Sequence, residues 1–104
     1  MTRYVLTAAA RADITEIWLR IAVDSEEAAD QVEQAMFDAC EFLADFPMAG
    51  RSRLAQTKRN LRSWTLPRYR NYIVIYKPDT RPLEVIAVLH GKRNIPRVLK
   101  SRAV

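Results

Sequence analysis

The chain is poor in the residues that build reactive centres. Its 104 residues include one cysteine, Cys40, one histidine, His90, and two glycines, Gly50 and Gly91. A single cysteine excludes a disulfide framework and a thiolate metal cluster and fits a reducing cytoplasm, the expected compartment. One histidine excludes a histidine-rich metal site, and two isolated glycines exclude a glycine-rich phosphate loop. Neither a metal nor a cofactor is therefore expected. Long apolar runs are missing as well: nothing approaches the ~20 uncharged residues of a membrane helix. The apolar stretch from Tyr4 to Ala10 stops at Arg11 without a signal-cleavage context, so no membrane partner is expected. The last scarcity is directional, because Asp79 and Glu84 are the only acids after Asp45.

What is present supports an ordinary folded unit. With 49% hydrophobic and 28% charged residues, the chain can bury a conventional core, and its length fits one domain spanning residues 1–104. The net charge of +5 hides a division. From Met1 to Asp45 three basic residues (Arg3, Arg11, Arg20) face ten acidic ones, a balance of −7. From Phe46 to Val104 fourteen basic residues face two acids, a balance of +12. A basic half of this strength calls for an anionic partner, either nucleic acid or an acidic protein segment.

Periodicity gives the elements. Arg3 to Thr7 is a short β-type run, and Thr7 caps an alanine-rich helix of about 15 residues, in which Ile14, Ile17, Trp18 and Ile21 recur at helical spacing. Arg11, Asp13, Glu16 and Arg20 fall mostly on the other side of that wheel. Asp24 or Ser25 caps a second helix, whose apolar stripe is Ala29, Val32, Ala35, Met36, Ala39 and Leu43 and which Phe46-Pro47 and Gly50 end. So short a turn makes the two helices an antiparallel hairpin. Arg51 to Asn60 reads as a polar, mobile loop. Leu61–Leu66, Asn71–Lys77 and Leu83–His90 read as three strands with short connections, hence an antiparallel meander. The expected class is α+β in two layers: a short N-terminal strand, a helix hairpin covering one sheet face, the three-stranded meander, and a basic C-terminal tail from Lys92 with one helical turn or none.

The chemical inventory is short. The group that remains is His90, Lys92 and Arg93 at the end of the last strand, with Arg62, Arg68 and Arg70 around the earlier ones. Beside Trp64, Tyr69, Tyr72 and Tyr76 such arginines are the residue types that bind phosphates and stack bases of single-stranded nucleic acid. The same residues equally suit a solvated basic sheet edge with its aromatics half in the core. His90 at a strand end suits a structural role unless a positioned partner makes it an acid or base. Cys40 suits core packing, and Trp18 joins Ile14 and Ile21 in an apolar face.

Several segments resemble the ParE toxins of the RelE/ParE superfamily. They are Ala12, Asp13, Ile14, Ile17 and Trp18; Phe42-Leu43 with Phe46-Pro47 and Gly50; Leu61-Arg62; Tyr72 to Tyr76; and the ending Val88-Leu89-His90-Gly91-Lys92-Arg93. The resemblance spans essentially the whole chain. It implies the toxin of a type II toxin-antitoxin pair, silenced by a ParD-like antitoxin encoded beside it. Such antitoxins carry a DNA-binding N-terminal part and a C-terminal segment that folds on the toxin, so operator DNA is reached only through the antitoxin. For the free toxin the resemblance implies inhibition of DNA gyrase and growth arrest. The RelE-like branch of the same superfamily cuts mRNA on the ribosome, and for that reading the catalytic candidates are His90, Arg62 and Arg70. No glutamate on the meander stands ready to pair with His90, since Glu84 lies six residues upstream on the same strand, and the Leu-His-Gly-Lys-Arg ending resembles ParE. A non-toxic RNA-binding module is the third reading.

These implications assign residues. An acidic amphipathic antitoxin segment is expected to lie on an apolar groove lined by Trp18, Ile21 and Met36, with Arg62, Arg70 and Arg93 supplying the electrostatic part. Those three apolar residues equally suit a helix-to-sheet joint. The target is expected to meet Lys92, Arg93, Arg97 and Lys100 on a mobile tail beyond the packed sheet.

Overall fold

The computed structural model describes residues 3–91 and 95–102. In chain order the elements are β1 (Tyr4–Leu6), α1 (Ala8–Ala22), α2 (Glu26–Asp45), β2 (Arg51–Ser52), α3 (Leu54–Thr57), β3 (Arg62–Thr65), β4 (Tyr72–Lys77), β5 (Leu83–His90) and α4 (Ile95–Arg102). The fold is α+β, with a five-stranded mixed sheet in the order β1-β5-β4-β3-β2. β1 runs parallel to β5, with Tyr4 opposite Leu83, and every other pairing is antiparallel.

Local chemistry sets the helix hairpin. The Thr7 hydroxyl accepts from the Ala10 amide at 3.1 Å and starts α1, and the Ser25 hydroxyl accepts from Ala28 at 3.0 Å and starts α2. Glu26 and Glu27 in the first turn of α2 suit the positive end of its dipole. Ile14 and Ile17 from α1 and Val32, Met36, Ala39, Cys40 and Leu43 from α2 pack on Val74, Tyr76, Leu83, Val85 and Val88 of the sheet.

Two expectations are corrected on the other side. Arg51–Asn60 is not a loop throughout: β2 pairs Arg51 with Ser63 and Ser52 with Arg62, which lengthens the meander to four strands, and α3 follows. A two-residue strand leaves too little pattern to read, and its pairing is made by backbone groups. The C-terminal segment is likewise a two-turn helix and not a tail. Ile95 and Leu99 of α4 are buried against Leu61, Ile75, Ile86 and Leu89 on the sheet face opposite the hairpin. The density of charge hid an apolar pair spaced by four.

A register shift in β5 helps serve both faces. Ile75 pairs with Ala87 but Tyr76 pairs with Val85, so Ile86 is an extra residue. Ile86 and Ala87 both turn to the α4 side, while Val85 and Val88 face the hairpin. β1 covers the outer edge of β5 only as far as Val85. Beyond it α1 takes over: the Thr7 hydroxyl donates to the Ile86 carbonyl at 3.4 Å, and the Asp13 carboxylate accepts from the Val88 amide at 3.0 Å.

Candidate functional site

Three exposed large apolar side chains, Phe42, Phe46 and Met48, gather where α2 leaves the sheet. Ala35, Ala39 and Phe42 follow one another at helical spacing, and the two alanines leave a trough that larger residues would fill. Phe42 and Trp64 of β3 form its wall, with ring centroids 5.1 Å apart, and the Phe46 ring stands 5.1 Å from Phe42 on the other side. The resulting groove, about 360 Å³, is lined further by buried Leu66 and by Pro67, Asp38 and Arg68. Phe46 and Met48 are 58% and 64% exposed, so the apolar surface continues past the groove. β2 pairs with Arg62 and Ser63, and among the described residues no strand continues that pairing along the outer edge of β3 at Trp64 and Thr65, beside the groove. An apolar trough next to an unpaired strand edge suits an extended or helical peptide segment.

The expected groove residues lie elsewhere. Met36 is 1% exposed and belongs to the core, so it lines no surface. Trp18 is half-buried and its indole donates to the Asp30 carboxylate at 2.8 Å, tying α1 to α2, while Ile21 packs against the same core. The cations separate as well. Arg62 is half-buried and donates to the Gly50 carbonyl at 2.7 Å and to Met48 at 3.4 Å, which closes the exit of α2. Arg68 and Arg70 are exposed on the turn after β3; Arg68 lines the groove, and Arg70 precedes Asn71, whose carbonyl accepts from the Gly91 amide at 2.6 Å. Arg97 and Lys100 are exposed on α4, whereas Lys92 and Arg93 lie outside the described residues.

Among the described residues, neither Arg62 nor Arg70 lines the cleft at His90. The imidazole stands edge-on to Tyr72, centroids 5.5 Å apart at 86°, and lines with Glu16 and Arg20 a cleft of only about 20 Å³, room for a water molecule and not for a nucleotide. Tyr72 pairs with His90 whereas Tyr76 pairs with Arg62, so those two of the three candidates sit four residues apart along β4, roughly 13 Å at strand rise, while Arg70 stands two residues before Tyr72 at the His90 end. A base-stacking face is not laid out either. Tyr76 is fully buried, and Trp64, Tyr69 and Tyr72 are half-buried against the core. Among the described residues, no three His, Cys, Asp or Glu side chains are placed to hold a metal, and no helix is long and apolar enough to cross a membrane.

A larger cleft of about 600 Å³ opens on the α4 side between Thr7, Arg59, Lys77, Asp79, Glu84 and Arg102. Its charges pair locally: Lys77 meets Glu84 at 3.2 Å and Arg102 meets Asp13. The reading from sequence missed the Phe42, Phe46 and Trp64 surface. A signal was present in the spacing of Ala35 and Ala39 before Phe42, but the same spacing also describes a core stripe.

Comparison with known proteins agrees with this fold. A family model described as "ParE toxin of type II toxin-antitoxin system, parDE" matches residues 4–95. A protein of Sinorhizobium fredii named "Putative toxin Y4kP" is 32% identical over 97 residues, covering 93% of this chain and 94% of that one. In structure the chain is similar to one titled "Chromosomal ParDE TA system from P. aeruginosa", with a TM-score of 0.72 over 86% of this chain and 95% of that chain, at 18% identity.

Proposed function

Because the chain belongs to the ParE toxin family of type II toxin-antitoxin systems, we propose that it arrests growth by binding DNA gyrase and is silenced when a cognate antitoxin occupies the α2–β3 groove. The observation that carries the second half is the aromatic cluster of exposed Phe42 and Phe46 with half-buried Trp64 on the outer strand edge of β3, with Arg68 at the groove rim. An acidic amphipathic segment fits this surface: its apolar side covers the rings, its backbone can pair with β3, and its acids meet the +12 half of the chain. The antitoxin proposed is ParD-like, and operator DNA is contacted through it alone. The toxin itself works in the cytoplasm, where its target is.

The reading makes the toxin a binding protein and not an enzyme. Support comes from the separation of His90 from Arg62 along β4 and from the lack of space at His90. Contacts to the target are assigned to Lys92, Arg93, Arg97 and Lys100 at the C-terminal end. Induced expression with separate readouts of plasmid supercoiling and transcript integrity tests the mechanism. Lost supercoiling with intact transcripts is expected. Codon-biased transcript cuts with normal supercoiling would replace gyrase by the ribosome as the target.

A further inference from the structure

We propose that Asp13 is a positioning residue for toxicity: through Arg102 it holds α4 against the second face of the sheet, so that the target meets a docked helix and not an extended basic tail. The inference rests on the toxin reading above and extends it to the element that carries Arg97 and Lys100.

Asp13 is a carboxylate where the helix would ordinarily place an apolar residue. It lies one turn before Ile17 on the face of α1 turned to the sheet, and it is 6% exposed. A carboxylate so placed is tolerated only when it is paired and hydrogen-bonded. Here one oxygen accepts from the Val88 amide at 3.0 Å and from Arg102 Nη1, and the other accepts from Arg102 Nη2 at 2.8 Å. Arg102 Nη1 also reaches the Ile86 carbonyl at 3.5 Å. The side chain therefore does two separable things. It closes the edge of β5 beyond the reach of β1, and it grips the guanidinium at the far end of α4 through a two-pronged, charge-assisted contact.

The grip acts together with apolar packing to hold α4 in place. Ile95, Leu99 and Arg102 follow at intervals of four and three and share the inward face, while Arg97 and Lys100 are exposed. A helix of eight residues is too short to persist alone in water. Its order draws on the buried Ile95 and Leu99, on Val98 packed beside them, and on the Asp13–Arg102 ion pair. Docking fixes the geometry of the exposed cations and removes the ordering cost that a tail would meet on binding its target. Asp13 thereby links the first helix to the last.

The test separates the two jobs of Asp13. Asp13→Asn can keep an acceptor for the Val88 amide while removing the charge and the second oxygen that Arg102 engages, an NH2 donor standing in that oxygen's place. Arg102→Gln breaks the same pair from the C-terminal side, and serves if the helix variant folds poorly. Arg102→Lys keeps the charge without the fork. Three quantities are measured in the full-length chain: hydrogen exchange of the amides of residues 98–102, affinity for the antitoxin, and viable counts after induction at matched protein level. For Asp13→Asn and Arg102→Gln the α4 amides should exchange at least tenfold faster while β4 and β5 stay protected. Survival should rise at least tenfold, antitoxin affinity should stay within twofold, and Arg102→Lys should fall between. Wild-type protection of α4 in both variants overturns the inference, as does full growth arrest with α4 exposed. Antitoxin affinity falling in step with toxicity overturns it too, since that is general damage. A wild-type chain that arrests nothing sinks the toxin reading itself and this role with it, and exchange data, which need no toxicity, distinguish that case.

Discussion

The Tyr76 hydroxyl donates to the Pro47 carbonyl at 2.7 Å and accepts from the Gly50 amide at 2.9 Å, stapling the exit of α2 to the middle of the sheet. Gly50 is there for space: a Cβ on it would stand 2.4 Å from that hydroxyl and 2.8 Å from the Ser63 carbonyl oxygen, closer than any packing allows. Tyr76→Phe is expected to lower stability by about 1–3 kcal/mol, the cost of orphaning buried polar groups, and Gly50→Ala by about 1–3 kcal/mol through forced displacement. Urea midpoints at unchanged slope check both. Cys40 is buried in the core, and burial first, then the Glu41 charge, pushes its thiol up to about 12 from 9.0. The folded state therefore holds its proton while the unfolded state loses it, so stability is complete below pH 9 and falls as pH rises from 9 toward 12. By pH 10 the loss is about 1.4 kcal/mol, and denaturant titrations at pH 8 and pH 10 should show it, with Cys40→Ala flattening the difference. The burial of Cys40 is legible in its place on a helix stripe. The role of Tyr76 is not, because its partners are backbone groups 26 and 29 residues away, which no side-chain pattern announces.

At the scale of elements, legibility follows length and periodicity. The helix hairpin with Thr7 and Ser25 as caps, and strands β3, β4 and β5, carry patterns long enough to read, and each stands within a residue or two of where the pattern puts it. β2, α3 and α4 do not, since their order comes from neighbours: β2 from β3, and α4 from the apolar second face and Asp13. α3 shows the same dependence at its end. Lys58 closes it in the left-handed region, φ 57°, with its amide bonded to the Leu54 carbonyl at 2.8 Å. That conformation is costly for any residue with a Cβ, so Lys58→Gly should raise stability by about 0.5–1 kcal/mol. Thermal unfolding of the two chains side by side measures it, and a lowered melting temperature would show that the Lys58 side chain contributes more than its backbone strain costs.

For the molecule as a whole, the division of charge along the chain becomes a division in space, with the acidic hairpin on one sheet face and the basic strands, turns and α4 forming the rest. Of the ion pairs within the described residues, Arg3 with Glu41 and Asp45 and Arg20 with Glu16 stay inside the acidic half, and Asp13 with Arg102 crosses between halves. The charge pattern suggests an anionic partner, whereas the groove proposed for it exists only because α2 and β3 meet at Phe42 and Trp64, which only the fold brings about. Long-range charge and short-range apolar contact should then separate kinetically. Raising salt from about 0.05 to 0.5 M shrinks the screening length several-fold, so antitoxin association should slow by about tenfold or more while dissociation barely changes. Arg68→Glu with Arg70→Glu should reproduce that slowing at low salt. Phe42→Ala should instead leave association near wild type and speed dissociation by about 30-fold or more, the 2 kcal/mol or greater of a buried aromatic anchor. Stopped-flow mixing of the toxin with its antitoxin segment resolves both rates, and a Phe42→Ala toxin that releases the segment at the wild-type rate would place the antitoxin on some other surface.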